Sequence, residues 1–262
     1  MLKSIFDLIS LKGKRALVTG AASGIGRAIA LRFGEVGADL ELVDINLDGL
    51  KKVRDELSMF NVEVNLHRVD LSVKEEIDSL WDAIGNRAPD ILVNNAGIFP
   101  FKDFLEVDAE FLDRIMRVNL YSVFWMCQHM IGRRIKMGKG GVIVNVSSIE
   151  ALIPLEEKLS HYCISKSGII ALTRSLAKEY GGHGFRINAI LLGGIKTPGA
   201  MRAAKALGLR AIKIGREYLE RVPLGRMGDP DEVARIVLVL ASELSTYVHG
   251  ALIVIDGGVS SS

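Results

Sequence analysis

Residues 15–26 read Arg-Ala-Leu-Val-Thr-Gly-Ala-Ala-Ser-Gly-Ile-Gly. The apolar run 15–19 predicts a strand, and the pattern over 24–36 predicts a helix that opens directly on the glycines. Strand, glycine turn and helix N-terminus in that order gather backbone N–H groups at a point where a diphosphate binds. The spacing is Gly20-x-x-x-Gly24-x-Gly26 instead of the commoner Gly-x-Gly-x-x-Gly, so the strand-turn-helix context carries the reading.

Working outward, the same alternation continues to the C-terminus. Strands are predicted at 15–19, 40–44, 62–69, 91–94, 142–147, 186–192 and 252–255, and helices at 24–36, 47–58, 74–84, 110–137, 160–180 and 231–240. β-branched runs alternating with helical patterns predict an α/β, doubly wound Rossmann-like fold, a seven-stranded parallel sheet with helices on both faces. With 262 residues and neither a repeat nor a linker, one domain over 1–262 is expected.

Composition narrows the class. The chain is 49% hydrophobic and 24% charged, as ordinary globular proteins are, and its formal charge of +2 gives no argument for nucleic acid. Cys127 and Cys163 both fall in predicted helices, so no disulfide framework is indicated and a reducing compartment is compatible. In the first residues Leu2, Ile5, Phe6 and Ile9 lie at helical spacing, interrupted by Asp7 and followed by no small-residue cleavage site, which predicts a short segment, 1–13, docked on the body. The longest run without Lys, Arg, Asp or Glu, 118–132, is too short to span a bilayer, and a cytoplasmic protein is expected.

Polar residues then fall at the carboxyl ends of the strands, where open α/β sheets bind ligands. Asp44 ends the second strand, where a carboxylate accepts hydrogen bonds from an adenosine ribose and repels a 2′-phosphate. The turn 21–23 holds no Arg or Lys to neutralise such a phosphate, so NAD(H) is favoured over NADP(H). Asp70 and Asn94-Asn95-Ala96-Gly97 follow the third and fourth strands. Tyr162 and Lys166 lie one helical turn apart, so an ammonium stands beside a phenol and favours its anion. Bringing a tyrosine from about 10 to about 7 needs roughly 4 kcal/mol of selective phenolate stabilisation.

With these residues assembled, the chain resembles the short-chain dehydrogenase/reductase superfamily, in its single-domain group. The motifs that carry the resemblance are 19–26, Asp70, 94–97, Asn119 in Val-Asn-Leu, Ser148 in Asn-Val-Ser-Ser, Tyr162-x-x-x-Lys166, Thr197-Pro198 and Asp256-Gly257-Gly258, which span about 13 to 258. The resemblance implies strand order 3-2-1-4-5-6-7 and a nicotinamide cofactor, NAD, across the strand ends. It implies a catalytic set of Asn119, Ser148, Tyr162 and Lys166. Tyr162 would exchange the proton with the carbonyl or alcohol oxygen, Ser148 would bond that oxygen, Lys166 would hold the nicotinamide ribose and lower the Tyr162 pKa, and Asn119 would position a water. The implied cofactor-binding set is Gly20, Ser23, Gly24, Ile25, Gly26, Asp44, Asp70, Leu71, Asn95, Ala96, Gly97, Tyr162, Lys166, Ile195 and Thr197.

Two departures stand out. Ser148 lies one residue further from Tyr162 than the family usually has it, which places an added residue in the 151–160 loop. Successive strand side chains face opposite ways, so only one of Ser147 and Ser148 meets Tyr162, and the motif favours Ser148. After the sixth strand Leu192-Gly193 replaces the family's Pro-Gly, removing a fixed φ near Ile195.

The remaining expectations concern substrate and partners. By resemblance, 197–226 is a substrate lid, in which Arg202, Lys205, Arg210, Lys213, Arg216, Arg221 and Arg226 outnumber Glu217 and Glu220. A basic lid suits an anionic substrate such as an acyl thioester, whereas the commoner meaning of such a run is a solvated helix face. Glu156, Glu157 and Lys158 lie in the loop before Tyr162. The five histidines form no ligand pattern, so no metal is expected, and His161 reads as structural. Helices 110–137 and 160–180 carry apolar residues on more than one face, which predicts a homotetramer. The functional reading is an NAD(H)-dependent oxidoreductase of a secondary alcohol or ketone. A 3-oxoacyl thioester reductase, a sugar or polyol dehydrogenase and a non-catalytic dinucleotide sensor are the alternatives.

Overall fold

The computed structural model describes residues 2–208 and 210–261, without the side chains of 206, 207 and 210–213, so the lid cations Arg210 and Lys213 lie outside the described side chains. A short helix α1 (Ile5–Ile9) precedes β1 (Arg15–Thr19), α2 (Gly24–Glu35), β2 (Asp39–Asp44), α3 (Leu47–Leu57), β3 (Val64–Arg68), α4 (Lys74–Ile84) and β4 (Ile91–Asn94). Then come α5 (Ala109–Met116), a π turn (Arg117–Tyr121), α6 (Ser122–Lys136), β5 (Gly141–Ser148), α7 (Ser160–Tyr180) and β6 (Phe185–Leu192). Two further helices, α8 (Pro198–Leu207) and α9 (Arg210–Glu220), lead to α10 (Pro230–Ala241) and β7 (Leu252–Ile255).

The strands form one parallel sheet in the order β3-β2-β1-β4-β5-β6-β7. Its central strands are buried along nearly their whole length, as strands covered on both faces must be. On one face Ile29 and Phe33 of α2, Leu50 of α3 and Val237 of α10 pack together, and on the other Ile77 and Trp81 of α4, Met126 and Met130 of α6 and Ile169 of α7 do so. Helix α10 starts where Pro230 follows an Asp229/Glu232 capping box. The strand order reverses between β1 and β4, the crevice where ligands enter such sheets.

Three details depart from the sequence reading. The helix expected over 110–137 is interrupted by the π turn, in which the Asn119 carboxamide is drawn onto the Ile98 backbone and the Val118 carbonyl takes the Ser122 hydroxyl at 2.6 Å. Of the N-terminal apolar set, Ile9 packs on the core beside the buried Leu11, whereas Leu2, Ile5 and Phe6 are exposed. The stretch 197–226, expected as a substrate lid, contains the two helices α8 and α9. Among the described residues no helix is long and apolar enough to cross a membrane.

A buried amide relay fixes the middle of the sheet. Asn94 Nδ2 donates to Asn145 Oδ1 at 2.8 Å and Asn145 Nδ2 donates to Thr173 Oγ1 at 2.9 Å, tying β4 and β5 to α7. That tie sets the height of α7, and so of Tyr162 and Lys166, against the strand ends.

Candidate active site

A cleft of about 1110 Å³ runs along the carboxyl ends of the strands from Asp44 to the lid. That exceeds the roughly 300–1,000 Å³ usual for one small ligand. Of the sequence-predicted residues, Gly20, Ser23, Gly24, Ile25, Asp44, Asp70, Leu71, Asn95, Ala96, Gly97, Ser148, Tyr162, Lys166, Ile195 and Thr197 line it. Gly26 and Asn119 stand behind this lining.

At one end the β1 turn is held in shape from two sides. Thr19 Oγ1 accepts the backbone N–H groups of Asn95 and Ala96 at 3.0 and 3.1 Å, and Asn95 Nδ2 donates to the Thr19 carbonyl at 2.9 Å. A Cβ at Gly26 would stand 2.1 Å from the Gly20 carbonyl oxygen, so only glycine lets α2 start this close to the turn. Ser23 caps α2 without a side-chain hydrogen bond, which leaves first-turn N–H groups for an anion from the cleft. Asp44 Oδ2 accepts from Ala22 N–H at 3.0 Å and Oδ1 from Asn46 N–H at 2.9 Å, so the carboxylate also fixes the turn. The described residues around it in the cleft, Ala22, Ser23, Ile45 and Asn46, include no base. Asp70 Oδ1 accepts from the Ser72 backbone and hydroxyl at 2.9 and 2.7 Å, placing the buried Leu71 at the rim.

In the middle, Ser147 and Ser148 separate as strand alternation requires. Ser147 Oγ donates to the Lys166 backbone carbonyl at 2.9 Å, while Ser148 lies within hydrogen-bonding influence of Tyr162. Lys166 is 3% exposed, with Nζ 5.7 Å from the Tyr162 ring centroid and donating to the Val146 carbonyl at 2.9 Å. A Cβ at Gly97 would stand 3.3 Å from that Nζ, so a glycine opens the ground above the ammonium. These residues suit a nicotinamide dinucleotide: free donors at the α2 N-terminus, a carboxylate at the β2 end and an ammonium under the central floor.

Burial pushes the Tyr162 phenol up to about 12, with Ser148 pulling downward and Glu150 and Cys163 pushing further up. Burial also brings the Lys166 ammonium down to about 8. The protein's own groups therefore hold a neutral phenol, because desolvation outweighs the nearby ammonium, which is turned onto a carbonyl. Asn119 is held by three side-chain hydrogen bonds. Its Oδ1 accepts from Ile98 N–H at 2.8 Å, and its Nδ2 donates to the Ile98 carbonyl at 2.8 Å and to Ser165 Oγ at 3.1 Å. The carboxamide thereby ties the π turn to the Ile98 backbone and to α7.

The lid end holds residues the sequence did not single out. Phe99, Phe101, Leu155, Met201, Ile214 and Met227 supply an apolar lining, and Glu150 and Tyr218 stand among them. Tyr218 OH accepts the Gly194 N–H, and its ring lies where a Cβ at Gly194 would be, 2.6 Å away. This contact braces the turn that lacks its proline, and the Gly193-Gly194 pair was the signal for it. Ile195 bridges to Gly228, and Thr197 Oγ1 caps α8 by accepting Ala200 N–H at 3.0 Å. The added residue before Tyr162 is accommodated in a loop where Lys158 takes a φ of 65°. Glu156 lines the cleft, whereas Glu157 and Lys158 do not. Of the lid cations with described side chains, Arg202 lines the cleft, while Arg216 and Arg226 pair with Glu220 and Glu232. His161 donates to or accepts from nothing in the cleft, its Nε2 lying 2.8 Å from the Pro100 carbonyl oxygen. Burial and Glu150 raise the Cys163 thiol to about 11, far from a thiolate.

Known proteins resemble this chain in sequence and fold. A family model described as Enoyl-(Acyl carrier protein) reductase matches residues 20–260. The chain is 37% identical over 256 residues to a 3-oxoacyl-[acyl-carrier-protein] reductase of Chlamydia pneumoniae, covering 96% of this chain and 99% of that one. It is 35% identical over 258 residues to an L-rhamnose 1-dehydrogenase (NAD(P)(+)) of a Sphingomonas species, covering 95% and 97%. A solved short-chain type dehydrogenase/reductase from Mycobacterium marinum superimposes with a TM-score of 0.90 at 33% identity, covering 99% of this chain and all of the other.

Proposed function

The chain belongs to the short-chain dehydrogenase/reductase superfamily and is an oxidoreductase, and from that premise we propose that it moves hydride between NAD(H) and a secondary alcohol or its ketone, with Tyr162 carrying the proton. The observation that carries the reading is one continuous cleft with the glycine turn and Asp44 at one end and Ser148, Tyr162 and Lys166 at its centre. Bound there, the nicotinamide supplies the hydride chemistry. Tyr162 Oη donates its proton to the carbonyl oxygen in reduction and takes it back in oxidation. Ser148 Oγ holds the same oxygen as negative charge develops on it. Lys166 Nζ, brought by burial down to about 8, would hold the ribose hydroxyls of the bound dinucleotide and could exchange a proton beside Tyr162. Asn119 is a positioning residue that sets the Ile98 backbone over the ammonium.

The preference for NAD(H) rests on Asp44. A 2′-phosphate would meet a carboxylate, and the cleft lining next to it holds no base, Arg68 standing outside that lining as the register partner of Asp44 on β3. The test is the ratio of kcat/KM with NADH to that with NADPH, over a panel of ketones, diketones, 3-oxoacyl thioesters and ketoses. Wild type is expected to favour NADH by at least about tenfold, and Asp44→Asn, which keeps an acceptor for Ala22 N–H but loses the charge, to cut the ratio about tenfold. A wild-type preference for NADPH sinks the Asp44 argument. A 3-oxoacyl thioester reductase is the second reading, favoured by the 37% identity to such an enzyme, and the same panel separates the two. NADH binding without turnover of any class would instead support a dinucleotide sensor.

The active form we propose is a homotetramer. Tyr121 and Phe124 at the start of α6 remain 44% and 43% exposed and border an apolar hollow completed by Leu120, Trp125, Gly168 and Leu172, a surface suited to a second copy. Light scattering at micromolar concentration should give four times the 28.6 kDa chain mass, and a monomer mass would refute the assembly.

A further inference from the structure

Resting on that reading, the lid end of the cleft points to a substrate class. Glu150 follows Ser148 by two residues, is 8% exposed and lines the cleft. Its Oε2 accepts from Leu155 N–H at 3.0 Å and lies 3.7 Å from the Cys163 thiol, and the Glu156 backbone N–H also donates to the carboxyl. A carboxyl accepts about four hydrogen bonds, so acceptor capacity remains on a group that borders the substrate space. Glu156, half-buried, lines the same stretch of wall.

We propose that Glu150, with Glu156 beside it, is a specificity-determining residue that selects a neutral polyhydroxylated substrate, a polyol or sugar, over one bearing a carboxylate or phosphate. Hydroxyls on the carbons beyond the reacting one donate to these carboxyls, whereas an anionic group must be desolvated against them. Burial pushes both carboxyls upward, and Glu150 in turn raises Glu156 and the Tyr162 and Tyr218 phenols, so the groups share one poorly hydrated space.

The experiment compares kcat/KM for a neutral six-carbon polyol with that for the aldonic acid of the same skeleton, both with NAD⁺. Wild type is expected to prefer the polyol by at least about 100-fold. Glu150→Gln keeps an acceptor for Leu155 N–H and removes the charge and one acceptor, and is expected to shrink that preference by at least about tenfold, chiefly through KM of the polyol. Thermal unfolding checks that the variant is folded. If it is not, Glu156→Gln must move the ratio in the same direction. A wild-type preference for the acid, or a ratio unmoved in the folded variants, overturns the assignment. Turnover of 3-oxoacyl thioesters with polyols and sugars inert overturns this inference and leaves the oxidoreductase reading standing. NADH binding with no turnover of any class overturns both.

Discussion

Tyr162→Phe is expected to bind NADH with a Kd within about threefold of wild type and to lose turnover by at least about 10³-fold. The substitution removes one oxygen and leaves the ring, which packs against Phe99 at 6.0 Å between centroids and over Lys166 Nζ. Nothing in the glycine turn, Asp44 or the Lys166–Val146 bond depends on the lost hydroxyl, so cofactor binding persists. The reacting oxygen keeps only Ser148 as a donor, and its proton has no carrier. General acid–base catalysis is worth about 10²–10⁴-fold, and a phenol that burial holds neutral offers its full donor strength at physiological pH. NADH fluorescence titration and single-turnover absorbance separate binding from chemistry. A variant that keeps more than about a tenth of wild-type turnover would remove Tyr162 from the proton path.

Gly26→Ala is expected to weaken NADH binding by at least about 100-fold and to lower Tm by about 6–10 °C. The added methyl group would fall 2.1 Å from the Gly20 carbonyl oxygen and 2.7 Å from Asn95 Nδ2. Neither is the loose end of a flexible side chain. Gly20 holds a φ of 66° in the turn, and Asn95 is bonded to the Thr19 carbonyl, so relief requires α2 to slide off the turn. Overpacking in a well-packed core costs about 1–3 kcal/mol, and contact with backbone places this site at the upper end. Sliding α2 also carries away the first-turn N–H groups that would meet a diphosphate. Calorimetry and NADH titration check the two effects. Wild-type affinity in the alanine variant would show that the α2 N-terminus does not hold the dinucleotide.

These two residues also mark what was legible in the sequence. The glycine spacing, the β-branched runs and the Tyr-x-x-x-Lys turn are local signals, each repeated by the period of its own element; they indicated the α/β alternation, the resemblance they carry implied the observed strand order, and nearly every site residue so named lines the cleft. What escaped depends on contacts between distant segments. Glu150 follows β5 in a 3₁₀ turn, where strand alternation no longer says which way a side chain faces. Tyr218 reaches Gly194 from a lid helix whose many charges mask its apolar face. The π turn at Asn119 arises from a bond to Ile98, twenty-one residues away, and no helical pattern encodes that. Pattern reveals which charges are neighbours and not how much water they have lost, so the upward push of burial on the Tyr162 phenol is not legible in the Tyr-x-x-x-Lys spacing.

The most direct test of Tyr162 as the proton carrier is the pH dependence of kcat/KM for alcohol oxidation with NAD⁺, set beside that for ketone reduction with NADH. Oxidation needs the phenolate and reduction the phenol. Below the phenol's pKa the phenolate fraction grows about tenfold per pH unit, so log kcat/KM for oxidation should climb with a slope near one from about pH 6. Reduction should stay level over the same range and fall only on the alkaline side. An oxidation rate that is flat from about pH 6 to about pH 9 would contradict the account, because no group with the titration of a buried tyrosine would then be limiting the proton transfer.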